Sequence, residues 1–467
     1  MRSPSGFMPN IRLCRLLERS PSFYCNIWKS RLINDNMKFI LQFILRLLSK
    51  AVLRKYHPEV IGITGSVGKT STKEAIFAVL SEKFRCRRNV KNYNNEIGLP
   101  LTILGMESGG RSMIKWLEIF WRGVLLLLKH DKQYPEILIL EMGADHPGDI
   151  YYLTNLAPCK VGVITAVAQA HTEFFKTVNQ VAKEKQIVVT HLEKDGTAIL
   201  NADDEKVLAM AAKTEAETII FGFNDKAHVK AIEFNIIQEM EKGFLQTKGV
   251  NFKIQYGGAI VPVFLPEVVG TQHVYAALAA GAVALSYGLN LVEISERLRL
   301  YNPPPSRMRL LSGVKFTTII DDSYNSSPLA AVLALRILSE IKVMEGGRRI
   351  AVLGDMLELG AYTFEAHQEV GAKVAESRID LLIAVGERAK IVAEAARLRG
   401  MVEDKIIQFV DSVEVGQFLQ KNIHTGDVIL IKGSQGVRME KIVVGLMAEP
   451  SDAKKMVCRQ DISWKNK

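Results

Sequence analysis

Cysteine is scarce in this chain of 467 residues: there are five, and none of them lies in a CxxC or another metal-binding spacing. A sparse, odd set argues against a disulfide framework and favours a reducing compartment, so we place the protein in the cytoplasm. Uninterrupted apolar runs of about 18 residues are also lacking, which argues against a transmembrane helix. With 48% apolar and 24% charged residues, the composition excludes disordered and collagen-like classes.

Acidic residues are few at the start of the chain. Eleven lysines and arginines against Glu18 and Asp35 give residues 1–56 a net charge of +9, out of +10 for the whole chain. The remaining body is near neutral and lacks the overall basic charge of a nucleic-acid-binding domain, so we expect no nucleic-acid partner.

Polar positions follow one stripe of a predicted helix over residues 38–54, at spacings of three and four: Lys38, Gln42, Arg46, Ser49/Lys50 and Arg54. Two interpretations stay open: peripheral contact with the inner face of the membrane, or packing on the protein's own body. Residues 1–36 are either a basic arm or precede a true translation start at Met37. The apolar segment Leu117–Leu128 favours core or dimer packing.

From Pro58 onward, short apolar runs alternate with helical patterns, which predicts an α/β fold with a parallel sheet. Residues 228–264 break this rhythm with alternating, glycine-punctuated strand signals and are interpreted as a β insertion. Three prolines at 303–305 mark a linker. We predict a basic arm (1–57), a central P-loop ATPase domain (58–305), a C-terminal Rossmann-like domain (306–450) and a tail (451–467).

The strongest motif is a phosphate loop between a predicted strand and helix, with Gly65, Ser66, Val67, Gly68, Lys69, Thr70 and Ser71 as the predicted ATP-binding residues. Glycines let backbone N–H groups approach a phosphate, and the helix N-terminus adds a positive dipole end. Lys69 is expected at the β- and γ-phosphates, and the Thr70 hydroxyl is expected to bind Mg²⁺. The loop departs from the strict pattern GxxxxGK[ST], because the first glycine of that pattern would fall at position 63, which is Ile in this chain.

Three further residues have side chains that could bind a metal or take part in catalysis, but each also has an ordinary structural explanation. Glu141 ends an apolar run, where a carboxylate can hold Mg²⁺ beside the phosphate loop or be an ordinary strand end. His171 and Lys185 are weak signals alone, because such residues are more often satisfied polar groups or solvated helix surface.

Nine ordered motifs make the chain similar to the Mur ligases over about residues 58–448: Gly62–Thr72, Asn94–Thr102, Leu140–Asp145, Ala170–Glu173, Val181–Lys185, Leu200–Asp204, Asp321–Pro328, Leu353–Gly360 and Lys432–Ser434. Within that family, the last three motifs resemble the ligases that add D-alanyl-D-alanine to UDP-N-acetylmuramoyl-tripeptide. The resemblance implies an ATP-dependent carboxylate–amine ligase of peptidoglycan precursor synthesis that works through an acyl phosphate. A Mur-type ligase that joins another carboxylate and amino acid or peptide is the alternative.

The resemblance also implies roles for single residues. Lys69, Glu141, His171 and Lys185 are the catalytic set. Thr70, Glu141, His171 and Lys185 would hold two Mg²⁺ ions, with Lys185 at a position that these enzymes carry in carbamylated form. Arg307, Asp322, Asn325 and Lys432 would contact ATP, and Asn95 would line the substrate side.

Two departures from the family pattern stand out. The family usually has an N-terminal domain of about a hundred residues that binds the UDP-sugar, and we interpret residues 1–57 as lacking it. His273 and Ala276 stand where the family prefers two asparagines, which puts the adenine contacts in doubt.

Overall fold

The computed structural model describes residues 21–90, 93–110, 112–168, 175, 177–461 and 464, with side chains from residue 38 onward. Helix α1 (Pro21–Tyr56) comes first. The elements after it are β1 (Glu59–Thr64), α2 (Lys69–Leu80), β2 (Cys86–Arg88), α3 (Gly98–Leu104), α4 (Met113–Leu128), β3 (Ile137–Glu141), α5 (Asp149–Leu156), β4 (Val161–Ile164), α6 (Val178–Thr190), β5 (Thr197–Asn201), α7 (Glu205–Leu208), β6 (Glu217–Gly222), β7 (Val229–Glu241), β8 (Phe244–Tyr256), β9 (Ala259–Pro266), α8 (Thr271–Ser286) and α9 (Leu291–Leu298).

The first sheet has nine strands in the order β2-β3-β1-β4-β5-β6-β7-β8-β9. Its strands are parallel as far as β7, and β8 and β9 add antiparallel pairs. Strands β3, β4 and β5 are buried along their whole length, which explains why they read as continuous apolar runs rather than alternating ones. The α/β fold class with a parallel sheet is confirmed.

The predicted β insertion consists of three antiparallel strands, but it is not a separate unit. Strand β7 pairs with β6, so the segment extends the first sheet. Its turns lie at Lys242-Gly243 and Gly257-Gly258, all with positive φ, the backbone form that tight hairpins require.

The second sheet begins after the three prolines. Its elements are β10 (Arg309–Ser312), β11 (Thr318–Asp322), α10 (Pro328–Glu340), β12 (Arg349–Gly354), α11 (Thr363–Glu376), β13 (Leu381–Val385), α12 (Ala389–Leu398), β14 (Ile406–Phe409), α13 (Ser412–Asn422), β15 (Val428–Lys432), α14 (Glu440–Leu446) and α15 (Ala453–Met456). The strand order is β10-β11-β15-β12-β13-β14, parallel except for β10, with core clusters on both faces. The Rossmann-like alternation is therefore confirmed here.

The long hairpin of β7 and β8 connects the two sheets. The rings of Phe244 and Phe316 stack with centroids 4.4 Å apart. Gln238 exchanges two hydrogen bonds of 2.9 Å with the backbone of Lys342. These contacts hold the hairpin of the first sheet against the second sheet.

Helix α1 lies on the body, and part of its polar stripe contacts it, whereas Lys38 and Arg54 are largely exposed. Lys38 pairs with Glu96 at 3.4 Å, and Gln42 donates to the same carboxylate at 2.9 Å. Ser49 is fully buried. The interpretation of this helix as packed on the protein's own body is thus what the contacts show. None of the described helices combines the length and the apolar content that crossing a bilayer requires.

Candidate active site

The phosphate loop connects β1 to α2, where the sequence motif predicts it. Gly65 has φ +153°, and a Cβ there would lie 1.9 Å from Thr165 Oγ1. Gly68, directly before α2, has φ +84°. Both positions therefore require glycine, one for close approach and one for a left-handed backbone. Thr165 Oγ1 donates to the carbonyl of Val67 at 2.5 Å, which fixes the loop from β4.

Ser66 ties the loop to the segment after β4. Its hydroxyl and the backbone of Ala168 exchange two hydrogen bonds of 3.0 Å. The Ser66 N–H donates to the carbonyl of Ala166 at 2.8 Å. These bonds hold the loop in shape, so little ordering is required of it when a phosphate arrives.

Lys69 begins α2 and bends back over the loop, where its Nζ donates to the carbonyl of Gly65 at 2.7 Å. Burial lowers the pKa of Lys69, with Glu141 acting against the shift and Arg307 adding to it. A half-buried cation that donates to a carbonyl is placed to gain from an incoming anion.

Thr70 and Glu141 form the pair that fits a hard metal ion. Thr70 Oγ1 donates to Glu141 Oε2 at 3.0 Å, and Asn94 donates to Glu141 Oε1 at 3.3 Å. A hydroxyl and a carboxylate are oxygen ligands of the kind that Mg²⁺ takes. In the part of the chain that the structure describes, no three His, Cys, Asp or Glu side chains cluster to hold a metal.

Two residues that the sequence interpretation missed hold Glu141 in place. Asn89 accepts from the Glu141 N–H at 2.9 Å and donates to its carbonyl at 3.2 Å. Lys73 donates to the carbonyl of Asn89 at 2.7 Å, and its Nζ lies 3.9 Å from Glu141 Oε2. Lys73 lies one turn after Thr70, a spacing that could have indicated it, whereas no local signal indicates Asn89.

Lys185 lies on α6 and is 4% exposed. The pKa of Lys185 is lowered to about 7, chiefly by burial and also by the nearby charge of Lys69. The charges of Glu184 and Asp145 act in the opposite direction. The neighbouring Glu184 has a structural role, because its carboxylate accepts hydrogen bonds from the N–H groups of Gly148 and Ile150 at the start of α5. The solvated-surface interpretation of Lys185 is therefore wrong, because the α6 face that carries it is turned inward.

The residues predicted from the second sheet form a separate, connected group. Lys432 is buried and donates to Asp322 Oδ2 at 2.6 Å and to the carbonyl of Asn325 at 3.1 Å. Asp322 Oδ1 accepts from the N–H of Met308 in the linker. Lys432 thus anchors the loop after β11 to the linker in this conformation.

Arg307 connects this group to the phosphate loop. Its guanidinium lies 4.1 Å from the centre of the Tyr324 ring, and its charge contributes to lowering the pKa of Lys69. Its carbonyl bonds to His273 Nε2 at 2.8 Å, and His273 Nδ1 lies 2.9 Å from the Tyr301 hydroxyl. Burial lowers the pKa of His273 to about 4, so this imidazole is neutral and structural.

Asn95 does not join the group in the described structure. Asn95 Oδ1 accepts from the N–H groups of Gly98 at 2.9 Å and Ile97 at 3.3 Å, so it caps the start of α3. His171 lies outside the described residues. Ser71, the last residue of the predicted loop, is buried in α2.

The tail contributes a residue that sequence reasoning missed. Arg459 donates to the carbonyls of Ser323 at 3.2 Å and Tyr324 at 2.5 Å, and pairs with the buried Glu440. The loop that contains Asp322 and Asn325 is therefore held from the C-terminal end of the chain. No local pattern could have indicated this contact, which spans more than a hundred residues.

Comparisons with known proteins agree with this geometry. The Mur ligase middle domain matches residues 63–115 and 122–284, and the Mur ligase glutamate ligase domain matches residues 306–435. The UDP-N-acetylmuramoyl-tripeptide--D-alanyl-D-alanine ligase of Bacillus subtilis is 30% identical over 420 residues, which is 90% of this chain and 81% of that protein. The Escherichia coli enzyme of the same name is 28% identical over 401 residues, covering 85% and 79%.

Solved structures show the same fold. MurF ligase from Thermotoga maritima, in complex with ADP, has a TM-score of 0.68 at 25% identity, covering 86% of this chain and 82% of that one. MurF from Acinetobacter baumannii has a TM-score of 0.70 at 24% identity, covering 86% and 79%. The family matches and the named relatives identify the class of protein as an ATP-dependent ligase. The chain belongs to the Mur ligase family.

Proposed function

We propose that this protein uses ATP to join D-alanyl-D-alanine to the terminal carboxylate of UDP-N-acetylmuramoyl-tripeptide. The observation that carries the proposal is the arrangement of Lys69, Thr70–Glu141 and the buried Lys185 around one phosphate loop. The names of the Bacillus subtilis and Escherichia coli relatives supply the substrates.

The chemistry explains why such a site is needed. A carboxylate is a poor electrophile, so one of its oxygens attacks the γ-phosphorus of ATP, and ADP leaves with the bridging oxygen. The amine of the dipeptide then attacks the acyl carbon of the acyl phosphate, loses a proton, and expels inorganic phosphate. In the first step two anions meet, and the Lys69 ammonium offsets their repulsion at the γ-phosphate.

Magnesium is part of the proposal, and the residues present fit it. Thr70 Oγ1 and Glu141 Oε2, 3.0 Å apart, would hold one ion. The ion would supply positive charge at the phosphate oxygens. Lys73 and Asn89 fix the Glu141 carboxylate and backbone, so the ligand is oriented before binding. A second ion, with His171 and a modified Lys185 as ligands, belongs to the same proposal.

Carbamylation of Lys185 is supported by the acidity of its ammonium group. The reaction joins the neutral amine nitrogen to the carbon of CO₂ and releases a proton, so it needs an unprotonated lysine. A pKa of about 7 supplies that form near neutral pH, whereas an ordinary lysine does not. The product is an anionic oxygen ligand, which suits a hard metal in a site with few carboxylates.

The remaining site residues are proposed to act on the two substrates. Arg307, Asp322, Asn325 and Lys432 would form the second-sheet side of the ATP site, and Asn95 the side that faces the acyl substrate. Since Lys432 is held by Asp322, nucleotide contact by Lys432 requires this ion pair to open. We further propose that residues 38–54 contact the inner face of the membrane.

The test measures phosphate release by purified protein with ATP, Mg²⁺ and D-alanyl-D-alanine, with and without UDP-N-acetylmuramoyl-tripeptide. The mass of the product is determined by mass spectrometry. We expect release only with both substrates, and a product heavier by one dipeptide less one water. The Lys69→Ala variant is the control and should release none. Phosphate release that requires a different carboxylate or amine would overturn this substrate assignment in favour of another ligation reaction.

A further inference from the structure

Helix α1 presents large apolar side chains to solvent. Leu45, Ser49 and Val52 face inward and are fully buried. On the outward side, four apolar side chains are more than half exposed: Phe39 (69%), Ile40 (56%), Phe43 (55%) and Leu47 (54%). This orientation is the reverse of a helix whose polar stripe faces water, because that stripe is occupied by contacts to Glu96 and Tyr152.

Helix α4 repeats the arrangement. Ile119, Gly123 and Leu126 face inward and are buried. The outward side again consists of strongly exposed apolar residues, namely Ile114 (76%), Leu117 (64%), Trp121 (60%) and Leu128 (71%). The predicted interpretation of this segment as core packing therefore holds for one side of the helix only.

The two helices lie side by side and run in the same direction. Gly123 of α4 abuts Leu48 of α1, since a Cβ at Gly123 would lie 3.0 Å from the leucine methyl. At the other end, Lys55 donates to the carbonyls of Leu126, Leu127 and Lys129 and so caps α4. Both inward faces enter the same core cluster, so both outward faces turn away from it together.

The eight outward residues named above form what we call the α1/α4 apolar surface. At roughly 150 Å² for each large apolar side chain when free, more than half exposure of eight gives on the order of 700 Å². The largest apolar patch on a typical monomer is about 300–600 Å², so a surface of this size indicates a partner.

We propose that the α1/α4 apolar surface docks the protein on an anionic membrane surface. Anionic lipid headgroups are the favoured partner, because residues 1–56 carry a net charge of +9 and would be attracted to them. A second copy of the chain would bring two such segments together, and their repulsion disfavours that pairing. Trp121 at the middle of the exposed face suits the headgroup region, where its ring is partly apolar and partly polar.

This inference extends the membrane contact proposed for residues 38–54 to a surface built from two helices. It does not depend on the substrates of the ligase reaction. A failure of the ligase assay and a failure of membrane binding are therefore separate results, each measured on the same full chain.

The experiment is flotation of the full chain with vesicles of phosphatidylcholine containing about 30% phosphatidylglycerol, and with phosphatidylcholine alone. Phe43→Glu/Trp121→Glu places two charges in the surface, and should lower recovery with anionic vesicles about tenfold or more. The matched control is Val292→Glu/Leu398→Glu, which changes two apolar residues that are equally exposed elsewhere, at 56% and 72%. This control should float like the unchanged chain.

Light scattering and ATP turnover of all variants complete the test. We expect a monomer in solution and unchanged turnover for both double variants, which shows that they fold. Equal recovery of Phe43→Glu/Trp121→Glu and the unchanged chain would overturn the proposal, as would equal recovery on neutral vesicles. A dimer that the same two substitutions dissociate, without vesicle binding, would assign the surface to a second copy. Lower flotation on anionic vesicles after removal of residues 1–20, which carry four arginines and Glu18, supports the charge argument. Higher flotation would instead assign the surface to this segment.

Discussion

Replacing Lys185 with methionine should abolish turnover and at the same time stabilise the fold. The side chain is 4% exposed, and burial lowers its pKa from 10.5 to about 7. Methionine has a similar length and no charge, so it removes the cost of burying an amine while filling the same space. The reaction loses the group that we propose to be carbamylated, and bicarbonate cannot restore it.

The magnitude follows from proton linkage. Between pH 7 and 10.5 the unfolded chain holds a proton on Lys185 that the folded chain does not, so the unfolded state is favoured as pH falls. At about 1.4 kcal/mol per pH unit, the penalty at pH 8 is about 3 kcal/mol. The stability of the unchanged protein should rise with pH through this window, and the gain from Lys185→Met should shrink toward pH 10.5.

Urea unfolding without bicarbonate, at pH values from about 7 to 10, measures this difference. Lys183→Met is the matched control, because Lys183 lies two residues earlier on α6 and is exposed; it should change neither stability nor turnover. A Lys185→Met variant that is less stable than the unchanged chain at pH 8, or one that keeps turnover, would refute the reasoning. Adding bicarbonate at constant Mg²⁺ should stabilise the unchanged protein and leave Lys185→Met unaffected.

Three further predictions concern the loop, the linker and the tail. Gly65→Ala puts a Cβ 1.9 Å from Thr165 Oγ1, so ATP affinity measured by calorimetry should fall more than tenfold, and an unchanged affinity would contradict the close approach. Asp321→Asn removes a carboxyl whose pKa burial raises to about 6. Urea unfolding of the unchanged protein should therefore show stability falling from pH 4 to 6, while the variant shows no such slope and gains about 3 kcal/mol above pH 6; a matching slope in both would contradict this. Arg459→Met removes two bonds to the Asp322–Asn325 loop and should raise the KM for ATP severalfold with little change in kcat, whereas an unchanged KM would show that the tail does not position the loop.

The strands of the second sheet are predictable from local sequence. Leu381–Val385, Ile406–Phe409 and Val428–Lys432 are each a short apolar run between helical patterns. Two features of the first sheet could not be predicted. Strand β2 has only three residues, and the pairing of β7 with β6 depends on a contact that no local pattern carries.

The direction that helix α1 faces could not be predicted from its own sequence. Its stripe of polar residues left two interpretations open, and the contacts that decide between them are made by Glu96 and Tyr152, more than 50 residues further on, with Lys38, Gln42 and Arg46. Periodicity divides a helix into two faces, but the charges of distant residues decide which face is buried.

The candidate site shows the same division between local and distant information. The phosphate loop could be predicted because Gly65, Gly68 and Lys69 are contiguous and each type has a physical reason. Asn89, which orients Glu141, carries no signal, because its role arises only when β3 brings the two residues together. Arg459 is a stronger case, since its target loop lies 135 residues earlier in the chain.

The positive charges of Lys69, Lys185 and Arg307 are expected to couple ATP binding to the state of Lys185. Lys69 lowers the pKa of Lys185, and Arg307 lowers that of Lys69, so three positive groups repel one another around the phosphate loop. A bound triphosphate would relieve this repulsion by adding negative charge, and carbamylation of Lys185 would relieve it by reversing one charge. Because both changes act on the same electrostatic energy, each alters the free energy of the other, and the alteration is reciprocal. Replacing Lys185 with methionine removes one of these cations, so it should weaken ATP binding in the absence of metal and bicarbonate, most strongly below pH 7, where the lysine is protonated. Binding measured apart from turnover therefore separates the electrostatic role of this residue from its role in the reaction.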